Sequence, residues 1–304
     1  MPDEKFRVQA DGLNLRTEPK VRPGNRIALL PQGHLVRKVA PSEEPDWWKV
    51  DTVLAGNPLE GFLAHRFLKA EGDFQDAPAE SGVRAVHLRE NRPEVTRQNQ
   101  NLLAFPLGEA GRPARDPANL AAHVAQLLEI VDYLSVDTSL RYAKRNGDTF
   151  CNIYAYDYCY LANAYLPRVW WTGSAIESLA RGEAVAVQPG TTVFEVNANG
   201  LFNWLKDFGG RFGWSRVISL DDLQGAANGG QVGVVVAQRV ALNTPGHIVA
   251  VVPENGPQQA LRAGGVVTVP LQSQAGGSNF RFSSGTGRWW TGVKFRESAF
   301  WVHS

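Results

Sequence analysis

Arg141-Tyr142-Ala143-Lys144-Arg145-Asn146-Gly147-Asp148-Thr149-Phe150-Cys151-Asn152-Ile153-Tyr154-Ala155-Tyr156-Asp157-Tyr158-Cys159 sets a turn directly against the start of a helix. Asn146-Gly147-Asp148 is a turn signal. Ile153, Tyr154, Tyr156, Asp157, Cys159, Tyr160, Leu161 and Ala164 then follow as a buried helix that ends before Pro167. Cys151 therefore falls in the first helical turn. Unpaired backbone N–H groups and the helix dipole favour a thiolate there. The same N–H groups suit an oxyanion, because a tetrahedral intermediate carries its charge beside them.

A cysteine nucleophile needs a base, and His247 has the most suggestive setting among the six histidines. In Thr244-Pro245-Gly246-His247-Ile248-Val249-Ala250-Val251-Val252-Pro253 a Pro-Gly turn precedes an apolar strand. His247 stands at the start of that strand, at the edge of a sheet. The next strand is read over Gly265 to Gln272 and runs into Ser273-Gln274-Ala275-Gly276-Gly277-Ser278-Asn279. If the two strands pair, Gln274 or Asn279 comes near His247 as an orienting group. Gln272, of the same parity as Gln274, and Glu254 are further candidates. Cys159 reads as core. A bridge to Cys151 is excluded on one helix, since eight residues span about 12 Å and a disulfide needs Cα atoms within about 7 Å.

Upstream, Asp116-Pro117 reads as a helix start, followed by Leu120, His123, Val124, Leu127, Leu128, Val131 and Leu134 at helical spacing. Residues 73–115 read as a connector, with Pro78 in an acidic stretch, two Gly and two Pro between Gly108 and Pro117, and a possible strand over Val83 to Leu88. Phe6 to Lys69 is all-β: short strands separated by Asp11-Gly12, Pro23-Gly24-Asn25, Gln32-Gly33 and Gly56-Asn57-Pro58, a pattern that suits a small barrel.

That first stretch resembles the bacterial relatives of Src-homology-three domains. Leu13-Asn14-Leu15-Arg16-Thr17-Glu18-Pro19, Leu30-Pro31-Gln32-Gly33, Trp47-Trp48-Lys49-Val50, Gly61-Phe62-Leu63 and Phe67-Leu68 occur in the family's order. Phe62 replaces the usual Trp and Phe67 the usual Tyr. The resemblance implies a targeting barrel, often one that holds a hydrolase on cell wall. The second half resembles papain-like cell-wall peptidases of the NlpC and CHAP groups, with cysteine on a helix, histidine on a strand and a polar residue on the next. Gly246-His247-Ile248-Val249-Ala250-Val251 is similar to their Gly-His-Val-Ala-x-Val strand. This resemblance implies Cys151 as nucleophile, His247 as base, and Gln274, then Asn279, as third residue. Phe150 and Asn152 depart from the Asp and Ser that flank the cysteine in the NlpC group. Tyr142 could hydrogen-bond near the site, as an upstream tyrosine does in these enzymes, or simply pack. Asn152 is a further candidate substrate contact. For Trp204 and Trp214 core packing stands beside peptide or sugar stacking, and Asn197 and Asn199 read as caps of a helix near Gly200.

Composition bounds the rest. The 304 residues are 43% hydrophobic and 20% charged, which suits about two folded domains. A net charge of +1 gives no lean toward nucleic acid. Two cysteines exclude a disulfide scaffold and a multi-cysteine zinc site. No His-Glu-x-x-His, Gly-x-Ser-x-Gly or phosphate-loop pattern occurs. No apolar run is long enough for a membrane helix, and the polar start, Met1-Pro2-Asp3-Glu4, does not read as a signal peptide. The expectation is a multidomain chain: an SH3-like barrel over 1–72, the connector over 73–115, and a papain-like α+β domain over 116–304. It would cleave an amide of peptidoglycan without metal or cofactor. Made in the cytosol, it would reach the wall by phage lysis, on a tail, or through a secretion device. The alternatives are a protein-modifying acyltransferase or deamidase effector, a non-catalytic wall-binding piece of a tail or injection device, and a glycosidase.

Overall fold

Short runs with alternating apolar residues pair into sheets wherever one face can be covered, and that pattern organises both ends of the chain. The computed structural model describes residues 4–9, 12–22, 24–31, 34–54, 57–71 and 82–304. The turn residues Asp11, Pro23, Gln32-Gly33 and Gly56 lie outside them, as does the acidic stretch with Pro78. The chain divides into two units, Met1–Ser81 and Gly82–Ser304.

The first unit carries β1 (Lys5–Val8), β2 (Gly12–Arg16), β3 (Arg26–Pro31), β4 (Leu35–Pro41), β5 (Trp47–Leu54), β6 (Asn57–Ala64) and β7 (Leu68–Ala70). They form one antiparallel sheet in the order β3-β2-β6-β5-β4-β1-β7. Val8, Leu13, Leu15, Leu30, Val36, Val50 and Leu63 supply its core. Leu13 and Leu15 show the two-residue period that sends alternate side chains inward.

The second unit begins with a strap. Residues 82–115, expected as part of a connector, are built into this unit's interior: Val86, Leu88, Val95 and Leu107 are buried. The Val83–Leu88 run forms no strand. A tyrosine hydroxyl replaces the neighbouring strand, with Tyr165 Oη accepting from Val86 N at 2.9 Å and donating to Val86 O at 3.1 Å. Arg115 closes the strap by donating to the carbonyls of Ala162, Gly230 and Ser304 at 2.8, 2.9 and 2.8 Å.

Five α-helices follow among the described residues: α1 (His123–Leu134), α2 (Cys151–Leu161), α3 (Gly173–Ala180), α4 (Ala198–Asp207) and α5 (Leu220–Asn228). The helix expected at Asp116 starts later, because Asp116 Oδ1 accepts from Ala118 N in a turn and a 3-10 segment over Leu120–Ala122 leads into α1. Strands β8 (Val169–Trp171) and β9 (Val193–Glu195) pair with each other. Then come β10 (Trp214–Val217), β11 (Val232–Arg239), β12 (His247–Val251), β13 (Leu261–Ala263), β14 (Val266–Val269), β15 (Gln272–Gln274), β16 (Phe280–Ser283) and β17 (Phe295–His303).

The main sheet has the order β10-β17-β11-β12-β15-β16, antiparallel throughout. β11 is buried on both faces, which explains its unbroken apolar run. Val234 and Val236 join the core of α2 and α4 on one face, while Val235 and Ala237 meet Leu223 and Ala227 of α5 on the other. The strand expected over Gly265–Gln272 is broken. Pro270 has no N–H to give a ladder, and the halves pair differently: β14 with β13, β15 with β12.

Candidate active site

Helix α2 is buried on nearly every side, so its first residue is held at a fixed point in the unit. Cys151 is that residue. Helix bonding begins at Tyr154 N, which donates to Phe150 O at 3.0 Å, so the N–H groups before it have no partner within the helix. Beneath the first turns, Arg141 grips Asp157 through Nε and Nη2 at 2.6 and 3.1 Å, with both side chains fully buried. Tyr142 donates to the same carboxylate at 2.9 Å.

His247 opens β12 and faces Cys151. Two glycines make that placement possible. A Cβ on Gly246 would stand 2.3 Å from Ala237 O and 2.6 Å from Asn199 Oδ1. A Cβ on Gly276 would stand 2.8 Å from Gln274 Nε2 and 3.3 Å from His247 Cε1. The turn before His247 is pinned by Asn199, whose Nδ2 donates to Leu242 O and Thr244 O and whose Oδ1 accepts from Arg239 N. Asn197, in contrast, caps α4 through Gly200 N at 3.0 Å.

Gln274 lies 2.7 Å from His247 Nε2 through its Oε1. Its own Nε2 donates to Ser278 O at 3.0 Å, which fixes the amide with oxygen toward the imidazole. His247 Nε2 must then carry a hydrogen, and Nδ1 is left for the thiol. Burial pushes the Cys151 thiol up, but the charge of His247, a hydrogen bond to it, and the N–H groups of Ile248 and Asn152 outweigh burial and hold it below the ordinary thiol range. Burial pulls His247 down. Cys151 and the Gln274 hydrogen bond outweigh that and Lys294 opposes them, so the imidazole lies above its usual value. Each group thus favours the charged form of the other. Cys159, by contrast, is pushed well up by burial.

These residues line a cleft of about 1060 Å³. Phe150, Phe105 and Leu103 contribute an apolar wall, and Arg239, Lys294 and Trp289 line the cleft as well. The sequence reading had no signal for Trp289, which lies many positions from its target. Its ring meets His247 edge-on at 4.6 Å, and its Nε1 donates to Gln272 Oε1 at 2.8 Å. Gln272 is thus bound to Trp289 rather than to His247. Glu254 is engaged by Arg262 and Asn228.

Several expected site residues sit elsewhere. Asn279 stands off the cleft: Nδ2 donates to Val136 O and Tyr142 O, and Oδ1 accepts from Gly276 N. It ties down the loop after Gln274. Tyr142, bound to Asp157, is buried under α2. Trp204 and Trp214 are both 3% exposed. Trp214 donates to Tyr165 O at 2.7 Å, and Trp204 packs in an aromatic cluster with Tyr165, Trp170 and Phe212. Asn152 does line the cleft, with Nδ2 donating to Val196 O at 3.0 Å. Among the described residues no cluster of three or more His, Cys, Asp or Glu is placed to hold a metal, and no helix is long and apolar enough to cross a membrane.

No protein-family model matches the chain, and no curated protein matches it. A similar solved structure is that of NlpC2 from Trichomonas vaginalis, at 10% identity and a TM-score of 0.20, covering 98% of this chain and 96% of that one. With so low a TM-score, the chemistry rests on the geometry of Cys151, His247 and Gln274.

Proposed function

We propose that the second unit is a papain-like cysteine hydrolase of the NlpC/CHAP kind, that the first unit is an SH3-like targeting barrel, and that the substrate is the peptide of peptidoglycan. One observation carries the reading. A thiol at a helix N-terminus faces an imidazole whose far nitrogen is oriented by a fixed glutamine oxygen at 2.7 Å.

Cys151 Sγ attacks the amide carbonyl carbon. The carbonyl oxygen becomes an oxyanion beside the N–H groups at the start of α2 that have no partner within the helix. His247 Nδ1 gives its proton to the leaving nitrogen, the C–N bond breaks, and an acyl-thioester remains. Water then loses a proton to His247, attacks the thioester, and frees the acid and the thiol. Gln274 keeps the ring in register through both halves. The wall as target is supported by the order of motifs in the first unit, and delivery from the cytosol to the wall belongs to the same proposal.

The test is digestion of purified peptidoglycan by the wild type and by Cys151→Ala, with released fragments weighed by mass spectrometry. Fragments with new amine ends are expected from the wild type alone, and their masses identify the bond. Equal silence from both proteins on intact and solubilised wall would remove the wall as substrate and turn attention to protein amides. Reducing sugar ends, rather than amines, would mark a glycosidase.

A further inference from the structure

We propose that the cleft holds a substrate carboxylate between Arg239 and Lys294, beside His247 on the side away from Gln274. The proposal deepens the hydrolase reading by naming the charge its substrate carries next to the reacting amide.

The placement follows from the sheet. Arg239 ends β11, Lys294 immediately precedes β17, and His247 opens β12. β11 lies between β12 and β17, while β15, which carries Gln274, pairs with the other edge of β12. His247 pairs with Ala237, and Arg239 lies two residues farther along β11, opposite Phe295, so the two cations stand on the neighbouring strands just beyond the start of β12 that carries the base.

The two side chains share one aromatic neighbour. Arg239 Cζ and Lys294 Nζ each lie 5.2 Å from the centre of the Phe295 ring. Val240 N donates to Lys294 O at 3.0 Å, so the backbones bearing them are bonded together. Both side chains line the cleft. Among the described residues neither has a carboxylate partner, whereas Arg168, the other arginine on the cleft wall, is bound to Glu195. Arg239 Nε donates to Pro245 O at 3.1 Å, using one of five guanidinium donors. Two like charges near one ring, beside His247, have no carboxylate bound to either among the described residues. A carboxylate meets them with a charge-assisted pair to the arginine and a point charge from the lysine.

The test uses the intact protein and needs no knowledge of the natural substrate. Cys151 is alkylated with iodoacetate and, separately, with neutral iodoacetamide, and the modified peptide is located by mass. The acid-to-amide rate ratio is compared with that of the same chain unfolded in urea. The native ratio is expected to exceed the unfolded one by about tenfold or more and to shrink as salt is added. Lys294→Glu and Arg239→Met should lower the ratio severalfold, and Lys294→Arg should keep it. With wall peptides, the first two variants should narrow the gap in kcat/KM between substrates bearing a carboxylate and a carboxamide next to the cleaved bond. A reactive thiol whose ratio is the same in wild type and Lys294→Glu overturns the carboxylate site and leaves the hydrolase reading standing. A folded protein whose Cys151 reacts with neither reagent overturns both.

Discussion

Gln274 reaches no substrate through any bond described above; it acts by holding His247. Removing it as Gln274→Ala leaves a buried imidazole N–H without its acceptor, a loss of about 1–3 kcal/mol. Where that loss falls on the transition state, kcat drops about five- to 160-fold. The pH profile separates orientation from packing. Cys151 is lowered and His247 raised, each in part by the other, so the thiol ionises below the ordinary thiol range and the imidazole keeps its proton above its usual one. Iodoacetamide should therefore modify Cys151 at pH values where an ordinary thiol, ionising near 8.5, is still protonated. The Gln274 hydrogen bond is one of the causes that raise His247, so Gln274→Ala should move the upper limb of the activity profile to lower pH. An unmoved upper limb would show that Gln274 only fills space. Cys151 and His247 were legible as residues because each sits directly beside a turn signal. Tyr142, Trp204 and Trp214 were open to two readings, since an aromatic side chain has the same pattern in a core as on a cleft wall. Trp289 left no trace, because edge-on contact with His247 depends on a loop that no local period describes.

At the level of elements, the cleft is a junction between the N-terminus of α2 and the ends of β11, β12 and β15, and two glycines set how closely these approach. They predict different failures. Gly246→Ala drives a methyl against the backbone carbonyl of Ala237, and backbone cannot swing aside. The expected cost is about 1–3 kcal/mol of stability, read as a lowered Tm. Gly276→Ala meets the end of the Gln274 side chain, which can move. Its expected effect is a loss of rate with Tm nearly kept, and calorimetry beside a peptide-release assay distinguishes the two. The boundaries of α2 and β12 were readable from Asn146-Gly147-Asp148 and Pro245-Gly246. The break at Pro270 is not legible, because Val266, Val267, Val269 and Leu271 read as one apolar run across the proline, although Val266–Val269 and Gln272–Gln274 join different sheets.

Across the whole molecule, the two units each have their own core, and the boundary between them lies at the start of the strap. Residues 82–115 contain Gly, Pro and mixed charge, so their composition resembles a linker. Their buried residues are few and irregularly spaced, and give no periodic signal. A fragment of residues 82–304 is expected to be soluble and to cleave small wall peptides. A fragment of 116–304 should aggregate. It would lose Val86, Leu88, Val95 and Leu107, each worth about 1.5–3 kcal/mol of burial, together with the Arg115 clamp. Equal solubility of the two fragments would show that the strap is dispensable.

β17 lies between β10 and β11, one strand in from the edge of the main sheet, although it follows the sheet's other strands in the sequence. Until Phe295–His303 has left the ribosome, β11 lacks a neighbour along one edge, and the α2–β12 junction rests on the sheet of β11, β12, β15 and β16 alone. A growing chain therefore carries its thiol and its histidine for some time without the frame that turns them into a pair. Translation order is thus expected to delay the pairing of the two side chains. Chains stalled before Phe295 are expected to leave Cys151 as unreactive toward iodoacetamide as a thiol in an unfolded peptide.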